Sequence, residues 1–301
     1  MNSDSPQHWR EQKEQSNKFM LSLLYWFALH SPRIFLSPIL IATALFFTIF
    51  KKHSVNTSKD YWQHLEGHPP SFFKVTRHFY HFAQVSIDRL YFLSGRYKQF
   101  RVDTEGKDLF TEKSGGLLLV SHIGSFDSMR VLAKQESNLD IYILMDRQHN
   151  AKAMQLIERL SPEMANKIID VAQPPSQLAL HLDELIKQGA YIGIMGDRVG
   201  RNETHTLCDF LGQPAQLPLG PWQLAATLKV PVIMCTGLYH GNKHYSLHFE
   251  LLYEGHKITR KERHKVLHEL AQKYAQRLEH YIKLAPYNWF NFYNFWSNER
   301  T

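Results

Sequence analysis

Short apolar runs and amphipathic stretches alternate along the chain from about residue 115 onward. The apolar runs have the length of buried strands, and the stretches between them repeat apolar residues at helical spacing. Strands are therefore predicted at residues 116–121, 141–145, 190–195 and 231–236. Helices are predicted at residues 128–136, 151–160, 176–188 and 221–228. The helix at 176–188 has the clearest ends, because Ser176 can cap it and Gly189 can end it.

This order of elements predicts the fold class. Strands that are apolar throughout and separated by helices are typical of an α/β fold with a mostly parallel sheet sandwiched by helices. The run at 244–253 alternates polar and apolar residues, which predicts an antiparallel edge strand. Long amphipathic helices are predicted at residues 72–97 and 259–284.

Two further apolar runs lie near the N-terminus, at residues 19–29 and 34–50. The polar leader before them is unlike a cleaved signal peptide. The second run has about the minimum length that crosses a bilayer, and lysines flank the pair on both sides. A spanning helix, a re-entrant hairpin, an interfacial helix and a buried helical hairpin of a soluble protein all fit this pattern. We predict a leader and membrane anchor at residues 1–60 and a domain that holds the chemistry at residues 61–301.

The formal net charge of +7 predicts anionic partners, namely phospholipid surfaces, phosphorylated substrates or an acidic carrier protein. Simple solubility explains the charge equally well. The two cysteines, Cys208 and Cys235, do not lie at metal-ligand spacing from another cysteine or a histidine. Neither a disulfide framework nor a zinc site is therefore indicated, and a reducing, cytoplasm-facing location is expected.

The segment after the first predicted strand carries the strongest candidate chemistry. His122 comes directly after the strand, Gly124 permits a tight turn, and Asp127 lies where the next helix begins. Because ligands of open α/β sheets bind at the carboxyl ends of the strands, a histidine there can take a proton from an attacking hydroxyl. A carboxylate on its other nitrogen would fix the tautomer and stabilise the imidazolium. We predict that His122 and Asp127 are the catalytic pair.

The spacing of this pair is not informative by itself. The composition predicts about 1.7 pairs of a histidine and an acidic residue five positions later, and two occur. The second pair, His264 and Glu269, lies within one predicted helix, where five residues place the side chains about 140° apart. The strand and turn around His122 therefore favour the first pair. A helix N-cap beside an ordinary loop histidine is the alternative for the same residues.

Three further segments contain candidate binding residues. Asp197 and Arg198 follow the third predicted strand, where Arg198 can hold a phosphate, or the two residues form a surface ion pair. Gly212 belongs to a glycine- and proline-rich segment that is predicted as a loop leading into the helix at 221–228. The aromatic residues at 286–296 form either an interfacial belt or a plug on the core.

Taken together, these segments resemble the lysophospholipid acyltransferase superfamily, and within it the lipid A late acyltransferases of the lauroyl and myristoyl transferase type. The resemblance covers nearly the whole chain. It is carried by the N-terminal apolar helix, the VSHIGSFD block, the strand before Asp197, the FLGQPAQLPLG block and the aromatic C-terminus. It implies a glycerolipid acyltransferase-like fold, a general base at His122 oriented by Asp127, and functional roles for Arg159 and Asp197. Lipid A enzymes usually carry Glu where this chain has Asp127, and their aspartate block usually lacks Arg198.

The resemblance implies transfer of a fatty acyl group from an acyl-carrier protein or acyl-CoA to a hydroxyl or amine of a membrane lipid or glycolipid. No metal or bound cofactor is required, and no nucleic acid partner is expected. Substrate-binding roles are predicted for a set of five residues, Arg159, Asp197, Arg198, Gly124 and Gly212. The expected location is the bacterial inner membrane, with the catalytic domain facing the cytoplasm. The alternatives are a non-catalytic lipid-binding scaffold with the same fold and a lipid ester hydrolase; a serine esterase is disfavoured because the chain lacks a GxSxG elbow.

Overall fold

The computed structural model describes residues 29–31, 33–110, 115–135, 139–200 and 203–296. The apolar run at 19–29 therefore lies almost wholly outside the described residues. A seven-stranded sheet with the order β1-β9-β8-β2-β5-β3-β4 and a separate two-stranded hairpin, β6-β7, form the β structure. The strands are β1 Arg101–Glu105, β2 Gly116–Val120, β3 Ile141–Met145, β4 Ile168–Asp170, β5 Tyr191–Met195, β6 His205–Phe210, β7 Gln213–Pro218, β8 Val232–Gly241 and β9 His244–Tyr253.

Helices surround the large sheet. They are α1 Arg33–Phe50, α2 Lys52–Glu66, α3 Phe72–Leu93, α4 Met129–Gln135, α5 Ala151–Leu160, α6 Pro162–Ala165, α7 Pro175–Lys187, α8 Gly220–Leu228 and α9 Arg263–Leu284. The helix predicted at 176–188 ends as expected at Gly189, which has a positive φ of 93°. The prediction that Ser176 caps this helix is wrong, because α7 begins one residue earlier with a proline in its first turn and Pro174 at the cap.

The large sheet is mostly parallel, as predicted, and only the β8–β9 pairing is antiparallel. Strand β2 lies at its centre, and every residue of β2 is buried. Alternate side chains of β2 point to opposite faces, so Leu117 packs with α7, α8 and α9 on one face, and Leu118 packs with α4 on the other. Burial on both faces explains why the strand is apolar throughout.

The prediction of an edge strand at 244–253 is wrong in one respect. Strand β9 is antiparallel to β8, as expected, but β1 pairs with its other side in parallel and forms the edge of the sheet. The sequence of β1, RVDTE, has a single apolar residue and gives no strand pattern. Strand β4 was not predicted either, because it is only three residues long.

The segment predicted as a loop before α8 is an antiparallel hairpin. Strands β6 and β7 pair along their whole length, and the turn between them contains Leu211 and Gly212, both with positive φ. A two-residue turn with both residues left-handed is the type that suits a hairpin. The loop prediction failed because the prolines and glycines of this segment lie in the edge positions and the turn of a hairpin that packs against α9.

The N-terminal helices pack on α3. On α1, Leu36, Leu40, Ala44 and Thr48 are buried at four-residue spacing, and Ala44 clusters with residues of α3. The remaining face of α1 exposes large apolar side chains, which are Phe35, Ile39, Ile41, Leu45, Phe46, Ile49 and Phe50. Within the described residues, no one helix has the length and apolar character to cross a membrane; the bent pair Phe35–Phe50 and Lys52–Glu66, at 93°, meets that criterion together.

The boundary predicted between residues 60 and 61 falls inside α2. Tyr61 and Trp62 of this helix are buried in the same core cluster as the strands β2 and β8. The end of α2 is therefore continuous with the packing of the α/β part, and the division into an anchor and a catalytic domain stays a prediction.

Candidate active site

The candidate site lies where β2 and β5 end side by side. These strands are parallel neighbours, and Val120 is in register with Met195. The residues two positions beyond each end, His122 and Asp197, therefore leave the sheet at the same level. The carboxyl ends of parallel strands form the crevice in which α/β proteins bind ligands.

His122 is held by Asp197 through two contacts. The imidazole Nδ1 lies 2.9 Å from Asp197 Oδ1, and the main-chain N–H of His122 donates to Asp197 Oδ2 at 2.9 Å. Because a carboxylate only accepts, Nδ1 carries the proton in the neutral imidazole and Nε2 carries a lone pair. Asp197 is completely buried, whereas the His122 side chain is 28% exposed. The buried carboxylate therefore orients a basic nitrogen that remains accessible.

The electrostatics of Asp197 suit this role. Burial opposes ionisation of the carboxyl group, but the His122 imidazole, its main-chain N–H and the neighbouring Arg198 outweigh burial, and the pKa of Asp197 lies below its ordinary value. Asp197 is thus an anion at neutral pH. An anion at this position stabilises the imidazolium that forms when His122 accepts a proton.

Asp127 has a different partner from the one predicted. Its Oδ2 lies 3.0 Å from Nε of Arg89, a residue of α3, and both side chains are partly shielded from solvent. The prediction that Asp127 orients His122 is therefore corrected: Nδ1 of His122 is occupied by Asp197, and Asp127 forms an ion pair that ties the start of the next helix to α3. The physical reason is the register of β2 with β5, which brings residue 197, distant in the sequence, closer than residue 127.

Gly124 forms the tight turn that was predicted after His122. Its φ is +58°, and its main chain lies against Gly237 of β8, where an added Cβ would overlap the carbonyl oxygen of Gly237. The next residue fixes the same approach, since Ser125 N–H donates to Gly237 O at 2.8 Å. Gly124 is thus explained by close backbone packing, and its role in substrate binding stays a prediction.

The C-terminal segment covers the loop that carries His122. We call residues 286–291 the C-terminal strap. Its Trp289 forms an antiparallel bridge with Ile123, and Trp289 and Phe290 are buried. Of the two sequence-based alternatives for the aromatic residues, the plug on the core is the one observed here.

The remaining predicted residues lie in different surroundings. Arg198 donates through Nε to Asn291 Oδ1 at 2.9 Å and through Nη2 to Phe290 O at 3.3 Å, so it contacts the C-terminal strap. Arg159 is exposed in the last turn of α5. Gly212 lies in the β6–β7 turn with a φ of +78° and open space around its Cβ position. Binding roles for these three residues stay predictions, although the geometry explains Arg198 and Gly212 without a substrate.

A cavity of about 460 Å³ with apolar and charged lining residues opens beside Asp127. Its wall includes Phe126, Met129, Ile141, Ile143 and Leu160. The guanidinium of Arg130 also reaches the cavity and donates to Ser161 Oγ at 2.8 Å. The cavity is open to solvent, its wall also includes Glu163 and Lys167, and neither His122 nor Asp197 lines it.

Sequence reasoning missed Asp197 as the partner of His122 and missed Arg89 altogether. One signal for the first was present, because both His122 and Asp197 follow an apolar strand at the same offset. No comparable signal existed for Arg89, which lies near the C-terminal end of a long amphipathic helix and contacts Asp127 only through tertiary packing.

A histidine aligned by a buried carboxylate at the carboxyl ends of parallel strands can accept a proton from a hydroxyl or amine, which is the chemistry that an acyltransferase requires. Residues 74–298 match the family of bacterial lipid A biosynthesis acyltransferases. The chain belongs to this family. It is accordingly an acyltransferase that acts on lipids. The residue range of the match includes His122, Asp127, Asp197 and the C-terminal strap.

A comparison with curated proteins gave no match. Among solved structures, the chain is similar to the 1-acyl-sn-glycerophosphate (LPA) acyltransferase PlsC from Thermotoga maritima, with 11% sequence identity and a TM-score of 0.38. That similarity covers 82% of this chain and 95% of the other chain.

Proposed function

We propose that this protein moves a fatty acyl group from an acyl thioester to a hydroxyl or amine of a membrane lipid or glycolipid, with His122 as the general base and Asp197 as its orienting acid. The observation that carries the proposal is the 2.9 Å contact between His122 Nδ1 and the fully buried carboxylate of Asp197. It leaves the other imidazole nitrogen as an acceptor at the crevice. Membership of the lipid A acyltransferase family supports the acyl group and the lipid acceptor.

The reaction follows from this arrangement. His122 Nε2 takes the proton of the acceptor hydroxyl or amine while the oxygen or nitrogen attacks the thioester carbonyl. A C–O or C–N bond forms, the C–S bond breaks, and the imidazolium returns its proton to the leaving thiolate. Asp197 keeps the imidazole in the required tautomer throughout and stabilises its charged form. The residues named here account for each proton in the cycle.

The donor is an acyl-carrier protein or acyl-CoA, both of which are anionic. The net charge of +7 supports association with either donor and with an anionic lipid surface. Apolar side chains form part of the wall of the cavity beside Asp127, which is consistent with an acyl substrate, although His122 does not line this cavity.

Purified protein should transfer a labelled acyl group from acyl-carrier protein or acyl-CoA to a lipid extract, and His122→Ala should retain less than about a tenth of that rate. A positioned general base contributes about 10² to 10⁴ in rate. The measurement is the amount of labelled lipid formed, followed by chromatography and mass spectrometry. His149→Ala is a matched control, because His149 lies in an exposed loop before α5 with its side chain 78% exposed.

Product analysis separates the competing functions. Labelled free fatty acid in place of labelled lipid would identify a hydrolase that uses water as the acceptor. A normal cellular phenotype with His122→Ala in place of the wild-type protein would identify a non-catalytic scaffold. Transfer by His122→Ala at more than about a tenth of the wild-type rate would show that His122 is not the general base.

The proposed location is the cytoplasmic face of a bacterial inner membrane, with α1 in contact with the bilayer. Contact of α1 with the bilayer is supported by Phe46 and Phe50 on its exposed face, which are 48% and 65% exposed, and by Lys51 at its end. Apolar side chains next to lysine are typical of helices at an anionic membrane surface.

The full-length protein should float with vesicles of phosphatidylethanolamine and phosphatidylglycerol, and the double variant Phe46→Glu, Phe50→Glu should float at least about fivefold less. Two buried phenyl groups contribute on the order of 1.5–3 kcal/mol each to such an association. Leu180→Glu on α7 is the control, because Leu180 is 63% exposed, comparable with Phe50, and lies on a different helix. Equal flotation of the double variant and the wild-type protein would contradict contact through this face.

A further inference from the structure

The C-terminal strap holds the main chain of the His122 loop on both sides of Ile123. Gly124 N–H donates to Asn288 O at 2.7 Å, and Phe290 N–H donates to His122 O at 2.8 Å. These bonds form a short antiparallel ladder. The His122 backbone is therefore fixed by Asp197 through its N–H and by the strap through its carbonyl.

Asn288 fastens the strap to the central sheet. Its side-chain Oδ1 accepts from Tyr239 N–H at 2.7 Å, and its Nδ2 donates to Tyr239 O at 3.1 Å. The amide group thus continues the pairing of β8 in the manner of another peptide unit. Asn288 is 2% exposed, so loss of its side chain would leave two buried main-chain groups of Tyr239 without these partners.

Arg198, which follows β5, binds the C-terminal end of the strap. Its guanidinium donates to Asn291 and Phe290, and it stacks over the ring of Tyr293 at 5.2 Å. Burial lowers the pKa of Arg198, although the adjacent Asp197 opposes that shift. The consecutive residues Asp197 and Arg198 therefore support the same loop. Asp197 orients the imidazole of His122, and Arg198 holds the strap that pairs with the loop.

The N-terminal helices complete the support. Tyr61 of α2 donates to Pro286 O at 2.6 Å, and His78 of α3 donates through Nε2 to Trp289 O at 2.9 Å. Burial lowers the pKa of His78 to about 3, so this histidine is neutral, and its Nδ1 accepts from Ser58 Oγ at 3.0 Å. The beginning and the middle of the strap are thus anchored on helices that lie outside the sheet.

From these contacts we infer that the C-terminal strap is a positioning element for the general base, and that Arg198 and Asn288 are positioning residues that act through it. Arg198 therefore serves catalysis by holding the strap and not by binding the anionic part of a substrate. This inference rests on the proposed function of His122. It implies that weakening the strap lowers kcat and leaves KM nearly unchanged, because substrate contacts remain while the base moves.

Asn291 provides the most discriminating variants. Its Oδ1 accepts from Arg198, whereas its buried Nδ2 has no hydrogen-bond partner among the described residues. Asn291→Asp keeps an acceptor oxygen for the guanidinium, and Asn291→Leu removes it. We expect Asn291→Leu and Arg198→Met to lower kcat by about 10- to 100-fold with KM within about twofold, since small displacements of a catalytic group cost up to about 10²-fold in rate. Asn291→Asp should stay within about threefold of the wild-type kcat.

The experiment measures kcat and KM of the full-length variants with acyl-carrier protein and acyl-CoA donors, together with the Nδ1–H resonance of His122 in protein labelled with ¹⁵N-histidine. The resonance should shift or broaden in Asn291→Leu and remain in Asn291→Asp. Ile186→Val on α7 is a control for loss of stability away from the site. A rise in KM of tenfold or more with unchanged kcat and an unchanged resonance would show that Arg198 binds substrate, and would overturn the inference.

The two proposals fail in different ways. A wild-type protein that transfers no acyl group from either donor would remove the proposed function. The His122 resonance in the Asn291 variants would still show whether the strap orients the imidazole. The same measurement tests the inference if Arg198→Met does not fold. An unchanged resonance in Asn291→Leu would then overturn the inference without any activity measurement.

Discussion

Asp197→Asn is expected to lower kcat by about 10⁴, close to the loss caused by removal of His122 itself. An amide cannot accept from both Nδ1–H and the main-chain N–H of His122 with the strength of a carboxylate, and it allows the tautomer in which Nε2 carries the proton. A histidine base held in the wrong tautomer loses about 10⁴ in kcat. The measurement is kcat for acyl transfer, with circular dichroism to verify that the variant is folded.

Asp127→Asn is the matched comparison, since both residues are carboxylates that follow the sheet. It breaks the ion pair with Arg89, in which Asp127 is buried, and leaves the contact of His122 with Asp197 in place. Because His122 keeps its orienting carboxylate, a loss of less than about tenfold in kcat is expected, together with a loss of stability because Arg89 Nε is left without its charged partner. A larger loss in Asp127→Asn than in Asp197→Asn would show that Asp127 orients the base during turnover.

Gly124→Ala is expected to lower the free energy of unfolding by more than about 4 kcal/mol, a size that single substitutions reach only through a specific defect. Two costs combine at this position. The residue must adopt a φ of +58°, and its new methyl group must displace the main chain of Gly237, to which the loop is bonded through Ser125. Backbone cannot move aside as a flexible side chain does, so both the loop and β8 are strained.

Gly212→Ala isolates the first of these costs. Gly212 has a φ of +78° but open space at its Cβ position, so only the left-handed conformation is penalised, by about 1–2 kcal/mol. Urea denaturation of both variants measures the difference. Similar stability losses would show that the approach of Gly124 to Gly237 is not tight. Retained transfer activity in Gly212→Ala would also count against a substrate-binding role for Gly212.

The sequence was most informative where side chains are buried on both faces. Strands β2 and β5 lie close to their predicted positions, because a continuous apolar run has few other interpretations. The half-buried strand β3 and the amphipathic helix α5 also lie where their patterns predict them. The same patterns indicated that His122 and Asp197 lie at the carboxyl ends of strands. The mostly parallel sheet followed from the alternation of those elements.

The partner of His122 was not predicted, because the spacing along the chain drew attention to Asp127. A contact between residues 75 positions apart depends on the order and register of strands, which a single sequence does not specify. Once β2 and β5 are known to be neighbours, the equal offsets of His122 and Asp197 make the contact expected. Strand order is therefore the missing information, and not the chemistry of the side chains.

The β6–β7 hairpin and the strap were missed for a related reason. Their residues read locally as turns and as an aromatic cluster, and their structure depends on partners in α9, β8 and the His122 loop. Asn288 shows the limit clearly, since an asparagine after a helix usually indicates a turn. Here its amide forms part of the sheet hydrogen bonding.

The buried imidazole of His78 has a practical consequence for anyone who shortens this protein to obtain a more tractable fragment. A cut at residue 60 would open α2 in its middle and discard the Ser58 hydroxyl on which His78 Nδ1 depends. The ring would lose the partner that fixes its orientation, and the carbonyl of Trp289 would lose a reliable donor. Removal of residues 1–60 would therefore weaken the support of the His122 loop directly. Loss of activity in such a fragment would not show that the activity requires contact with a membrane.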